Sequence, residues 1–330
     1  RENPWTGTDL RERLKDGVER LEERVEGQPA ATHKTLQVIK RAVSGLSGLQ
    51  HSSHGKPKGI LFFAGPTGTG KTEMAKSLAE LIFGDQDVCI RFDMSEYADP
   101  SSDQRLLGAA PGYVGYEAGG QLTNAVREHP FSILLFDEIE KAHSSILDKF
   151  LQILEDGCLT DSHGRRADFR NAVVVMTSNV GARQMTSVHP LGFAGEEAGE
   201  EVRQERVRRA VREELKKTFR PEFLNRIDDT VIFRQLGEAD LEEIARRMLA
   251  ESGARMAELG LGLRAGDEAV ALLARECWDP AHGARPLRRA LRQKVEDVVA
   301  EGLLSGRFQK GDRLLLTVYK FDIAIEKEMG

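Results

Sequence analysis

The sequence has little that would fasten a chain from outside its own core. It holds three cysteines in 330 residues, Cys89, Cys158 and Cys277, far apart, odd in number and without a Cys-x-x-Cys pair. This gives no support to a disulfide framework or a structural zinc site, and it fits a reducing compartment. His51 and His54 lie in a polar loop with no further ligands, which reads as a solvated loop rather than a metal site. No apolar run approaches the length that spans a bilayer and no signal peptide pattern is present, so no membrane partner is expected, and the cysteine usage goes with an expected cytoplasmic location. A basic excess is also missing. Lys and Arg number 47 against 53 Asp and Glu, a formal net charge of −6, so nucleic acid is not an expected partner. The chain opens on Arg1 rather than Met, and the expectation is a piece of a longer protein.

What the sequence does have is one phosphate-loop pattern with the right flanks. Gly65-Pro66-Thr67-Gly68-Thr69-Gly70-Lys71-Thr72 fits G-x-x-x-x-G-K-[ST], the Walker A motif, at every required position. The apolar run at 60–64 predicts a buried parallel strand before it. Residues 73–82, opening on Glu73, predict a helix after it, with Met74, Leu78, Leu81 and Ile82 on one face. The glycines allow backbone N–H groups to turn inward around an anion, and the helix N-terminus adds partial positive charge. Lys71 would reach the β- and γ-phosphates, and the Thr72 hydroxyl would hold Mg²⁺.

Further strands are predicted at 88–92, 132–136, 172–177 and 227–233, with helices between them. Strands alternating with helices imply a parallel α/β sheet flanked by helices. From about Gly237 the pattern changes to helices at 238–259, 267–277 and 286–304 with a last strand at 313–318. The expected organisation is an N-terminal linker and helix over 1–24, a large α/β subdomain over 25–236, and a small, mostly helical C-terminal subdomain over 237–330.

The strand at 132–136 runs into Asp137-Glu138. Ligands of open α/β sheets bind at the carboxyl ends of strands. Beside a phosphate loop, Asp137 would bind Mg²⁺ and Glu138 would polarise the attacking water. Asp-Glu pairs are common at strand ends, and the phosphate loop is what turns this pair into a sign of ATP hydrolysis. Asn179, at the end of the next strand, is placed to bond the γ-phosphate or the water.

Taken together these residues carry a family resemblance. The motifs at 65–73, 93–97, 112–116, 119–122, 136–143, 156–161, 177–179, 219–228 and 283–287 occur in one order over nearly the whole chain. In them the chain resembles the AAA+ ATPases of the Clp protein-unfoldase family, and most of all their second-ring ATPase module. The resemblance implies an AAA+ P-loop NTPase with a helical lid, a homo-hexamer, ATP and Mg²⁺ as cofactors, and unfolded or aggregated polypeptides as substrates. It implies an arginine finger at Arg226, with Arg220 as runner-up, and a sensor arginine at Arg285. Val25, Glu26, Gly27 and Gln28 match the segment around the adenine. Tyr113 and Val114 match the axial pore loop, where an aromatic on a Gly-flanked loop grips extended polypeptide. Leu191-Gly192-Phe193 is similar to the tripeptide that docks a ClpP-like peptidase, and local packing is the competing reading. The chain departs from the family pattern at Thr69, at residues 99–101 and at Cys158. A nucleic-acid motor of the same superfamily is the alternative, disfavoured by the acidic balance.

Overall fold

The structure is a computed structural model. It describes residues 3–45, 55–108, 119–161, 163–182, 185, 200–279 and 282–328, with the backbone alone over 200–204. His51, His54, Tyr113, Val114, Leu191, Gly192 and Phe193 lie outside the described residues. The chain divides into two compact units, residues 1–65 with 70–234, and residues 66–69 with 235–330.

In the first unit the strands are β1 (Gly59–Ala64), β2 (Cys89–Asp93), β3 (Ile133–Asp137), a short antiparallel hairpin of β4 (Cys158–Thr160) and β5 (Arg166–Asp168), then β6 (Val173–Ser178) and β7 (Asp229–Ile232). Five of them form a parallel sheet in the order β2-β3-β6-β1-β7. β1, β3 and β6 are buried along their whole length, which explains their unbroken apolar runs. Successive side chains still point to opposite faces. Ile60, Phe62, Leu134, Phe136, Val174 and Met176 enter one core, and Leu61, Phe63, Leu135, Val173 and Val175 enter the other.

Residues 3–24 pack into the second of these cores. Trp5 is buried, meets the Phe83 ring edge-on at 5.6 Å, and donates its indole N–H to the Asn171 carbonyl at 2.9 Å. Leu10, Leu14 and Leu21 follow it inward on a helical spacing.

The second unit carries helices Glu238–Glu258, Asp267–Cys277, Arg285–Leu291 and Asp297–Leu304, the last two joined through a π-helical turn at Arg292–Glu296. The sequence reading expected one helix over 286–304 and one strand. The structure holds a sheet of three strands, β8 (Gly262–Ala265), β9 (Arg313–Tyr319) and β10 (Asp322–Lys327), in the order β10-β9-β8. β8 is four residues long, too short for a period to declare itself. β10 alternates, with Ile325 buried and Ile323 packed beside it. The core gathers Leu241, Leu273, Leu287, Val295, Phe308 and Leu314.

Candidate functional site

The carboxyl ends of β1, β3 and β6 carry the polar residues singled out in the sequence. β6 lies between β1 and β3, so the residue just past β6 falls between the phosphate loop that leaves β1 and the Asp-Glu pair that ends β3.

The loop leaves β1 through Gly65, whose φ of +154° is open to glycine. A side chain there would meet the Phe233 carbonyl at 2.5 Å. The loop ends at Gly70, left-handed at φ +102°, which caps helix Lys71–Phe83. No side chain caps this helix, so its first N–H groups lack an intrahelical acceptor and form a ready anion site. Within the loop the buried Thr69 hydroxyl donates to the Pro66 carbonyl at 2.9 Å. Thr67 and Gly68 complete it, and Ala284 N–H donates to the Gly68 carbonyl at 3.1 Å inside the second unit. Arg285 follows directly, exposed at the start of its helix.

Lys71 is buried, and its ammonium donates to the Gly65 carbonyl at 2.7 Å and to Asn179 Oδ1 at 3.2 Å. Asn179 Nδ2 donates in turn to Glu138 Oε1 at 3.2 Å. Both ends of the Asn179 amide are thus engaged, with a cation on one side and a carboxylate on the other. Glu138 adopts the left-handed conformation at φ 56°, ψ 51°, which is uncommon for a residue with a side chain and recurs at functional sites. Its own N–H donates to Thr177 Oγ1 at 3.1 Å.

Asp137, 7% exposed, accepts from two groups to which the sequence reading assigns no role. Thr177 Oγ1 bonds its Oδ1 in a short contact, and Arg91 Nη2 bonds its Oδ2 at 2.5 Å. Arg91 comes from β2, where the register sets Asp93 level with Asp137. The Ser95 hydroxyl, joined by Ser95 N–H and nearby Arg91 and Lys141, holds the Asp93 carboxyl below the usual carboxylate range against a smaller opposing effect of burial. On the same strand, burial pushes the Cys89 thiol up to about 11, so it remains protonated at neutral pH. Glu140, also unanticipated, accepts the Asn179 backbone N–H at 3.0 Å. No local sequence signal marks Arg91, Thr177 or Glu140 for these contacts, because each depends on which strands are neighbours.

The segment matched to the adenine packs beside the loop. Val25 is buried and lies 3.0 Å from where a Gly70 side chain would begin. Gln28 is buried and makes a reciprocal pair with the Arg234 backbone, giving Nε2–H to its carbonyl and accepting its N–H, both at 2.9 Å. Gly27 turns the chain at φ 73°. Glu73 is tied to Arg24 at 2.7 Å. The candidate finger arginines lie elsewhere. Arg226 is ion-paired with Glu155, and Arg220 with Asp148 at 2.9 Å, both on helix Ser144–Asp156.

The residues present fit a magnesium nucleotide. An uncapped helix N-terminus and Lys71 would take the phosphates, and Thr72 with Asp137 would take the metal. For a cation to reach Asp137 Oδ2 directly, Arg91 must share or yield that oxygen. Among the described residues no cluster of three or more His, Cys, Asp or Glu is arranged to hold a metal without such help. No helix among them is long and apolar enough to cross a membrane.

Comparison with known proteins gives consistent results. Residues 56–230 match a family model described as an AAA domain of the Cdc48 subfamily. Residues 236–316 match one described as the C-terminal, D2-small domain of ClpB protein. The chain is 45% identical over 313 residues to a chaperone protein ClpB of Oceanobacillus iheyensis, an alignment covering 93% of this chain and 38% of the relative. It is 42% identical over 331 residues to an ATP-dependent Clp protease ATP-binding subunit ClpC of Staphylococcus aureus, covering 97% of this chain and 40% of the relative. The chain therefore spans about two fifths of the length of these curated relatives.

Proposed function

Since this chain belongs to the Clp-type AAA ATPases, we propose that it is the ATP-hydrolysing module of a protein unfoldase, working in a homo-hexamer that threads polypeptide through its centre, either to disaggregate it or to feed a ClpP-like peptidase. The observation that carries this reading is the run of bonds from Lys71 through Asn179 to Glu138. It puts Lys71, Asn179 and Glu138 in one hydrogen-bonded row, which supports reading them as phosphate-binding cation, polar sensor and general base.

In this reading Lys71 and the first N–H groups of its helix hold the β- and γ-phosphates. Thr72 and Asp137 would hold Mg²⁺, which when bound would supply charge neutralisation at the phosphate oxygens. Glu138 accepts a proton from the attacking water, and Asn179 orients that water or the γ-phosphate. Val25, Glu26, Gly27 and Gln28 enclose the adenine. Arg226 leaves Glu155 to act as the finger on a neighbouring protomer's nucleotide, where an arginine in trans offsets charge on the transferred phosphoryl group. Arg285 contacts the phosphates in cis. Tyr113, supported by Val114, grips the substrate, and Leu191, Gly192 and Phe193 dock a ClpP-like peptidase.

The test is turnover of ATP and ATP-dependent unfolding of a tagged, stable protein, with and without a peptidase ring. Glu138→Gln is expected to retain nucleotide while hydrolysis falls by about 100-fold or more. Tyr113→Ala is expected to lose unfolding. Leu191→Ala with Phe193→Ala is expected to lose degradation while unfolding continues. An assembled protein unable to turn over ATP, or Glu138→Gln hydrolysing at the normal rate, defeats the proposal. DNA-stimulated turnover without unfolding would favour a nucleic-acid motor instead.

A further inference from the structure

Glu140 has no part in the chemistry proposed above, yet it holds the residue at its centre. It sits in the 3-10 turn Ile139–Lys141, directly after the left-handed Glu138. Its Oε1 accepts the backbone N–H of Asn179 at 3.0 Å. Its Oε2 is buried and has no hydrogen-bond partner among the described residues. An acceptor left unsatisfied away from water is unfavourable, so solvation of the carboxylate does not explain its presence. The bond to Asn179, the one it makes among the described residues, does.

That bond falls where the sheet stops supplying partners. β6 ends at Ser178, and its pairing with β1 runs only to Ala64 opposite Ser178. Asn179 lies one residue further, where its N–H has left the ladder and needs another acceptor. Lys71 and Glu138 fix which way the Asn179 amide faces, but neither fixes where its backbone sits. The Asn179 carbonyl accepts from Ala182 N–H at 3.1 Å and the Ser178 carbonyl from Gly65 N–H at 3.2 Å, and Glu140 is the side chain that takes up the Asn179 N–H between them. We infer that Glu140 is a positioning residue: it sets the height of Asn179 above the sheet edge, and so the registry of Asn179 with Lys71 and Glu138. This rests on the ATPase reading and adds a further residue to the same site.

The experiment uses the whole chain and four variants: Glu140→Gln, Glu140→Leu, Asn179→Ala, and Glu140→Leu combined with Asn179→Ala. Gln keeps the oxygen that accepts from Asn179, while Leu removes it without leaving a buried charge. Steady-state ATP hydrolysis is measured beside the affinity for a fluorescent ADP analogue. Amide hydrogen exchange at residue 179 is followed in the nucleotide-free protein.

Glu140→Leu is expected to lower kcat by about 10-fold or more, with KM and analogue affinity within roughly 2-fold, because misplaced catalytic groups act on the transition state. Glu140→Gln should stay within about 2-fold of wild type on the same measures. Exchange protection at Asn179 should be lost with Leu and kept with Gln. The double variant should be no slower than Asn179→Ala alone, as expected when one residue acts only through the other. Gln as slow as Leu, multiplicative losses in the double variant, unchanged protection in Glu140→Leu, or loss of its cooperative melt each overturns the inference. A wild-type protein that binds no nucleotide and turns over no ATP defeats the ATPase reading itself. An active wild type with an equally active Glu140→Leu defeats only the role of Glu140.

Discussion

The two units treat their polar groups in opposite ways. Among the described residues, the first unit buries Lys71, Asp137, Asp161 and Gln28, while the second buries only Thr69 and Ser252 of the polar types. The second unit keeps its charges outside, in pairs such as Arg246 with Asp267 at 2.8 Å and Lys294 with Glu276 at 2.9 Å and Asp322 at 2.7 Å. Buried charge is unfavourable unless paired and bonded, and it concentrates where chemistry or a fixed geometry requires it. The contrast teaches that stability in the second unit comes from its apolar core, and that the first unit spends part of its interior on function and positioning.

Four substitutions test that contrast, from the strongest effect to the weakest. Lys71→Ala removes the buried cation at the mouth of the loop. Nucleotide affinity, measured by calorimetry, should fall by about 100-fold or more, the scale of a charge-assisted contact inside a largely dry site. Retained affinity would mean that this buried charge is structural.

Phe308→Ala empties a fully buried site in the second core. Denaturant unfolding of that unit should shift by about 3–5 kcal/mol, the range for deleting a buried aromatic side chain. A loss below about 1 kcal/mol would show that its core is not what holds it.

Asp161 is the counterpart, away from the candidate site, of Asp137 and Glu138. Its side chain accepts from the backbone N–H groups of His163 and Arg165, both at 2.9 Å, and from the side chains of Arg127 at 2.9 Å and Arg165 at 3.1 Å. It thereby ties the β4–β5 hairpin to helix Gln121–Glu128. Burial alone would raise its carboxyl pKa, but these donors together hold it below the usual range. A pKa depressed in the folded state contributes stability that is fully present above the unfolded value of about 4 and is lost as pH falls through the folded value. Asp161→Ala should therefore destabilise the first unit by about 2 kcal/mol at neutral pH. The gap to wild type should narrow below about pH 4 in acid-unfolding curves. A gap that stays constant into acid would remove the ionised Asp161 from the account.

Arg246→Ala is the weakest of the four. The pair with Asp267 is solvent-exposed, and such pairs add little. Its thermal midpoint should match wild type, and a clear drop would show that surface pairs do more for the second unit than the contrast allows.

How much of this was legible in the sequence differs from element to element. The phosphate loop is read from eight consecutive residues because its geometry is local: glycines at Gly65 and Gly70 are required wherever the backbone takes positive φ. The central strands are legible because strands covered on both faces need apolar runs. β8 and the β4–β5 hairpin were missed because three or four residues carry no readable period, and the hairpin is held by Asp161 rather than by its own side-chain pattern. Arg91, Thr177 and Glu140 were missed as contacts because each reaches across from a separate strand or turn.

By itself the sequence determined the local parts: a loop shaped for an anion, a helix to follow it, a pair of carboxylates after an apolar strand, and a second region of different pattern. Only the tertiary structure decided that β6 runs between β1 and β3. That insertion brings Asn179 between Lys71 and Glu138, and it leaves the Asn179 N–H to be met by Glu140. The physical reason is that apolar parallel strands are interchangeable in their local pattern, and their order is selected by how the crossover helices pack over the whole sheet.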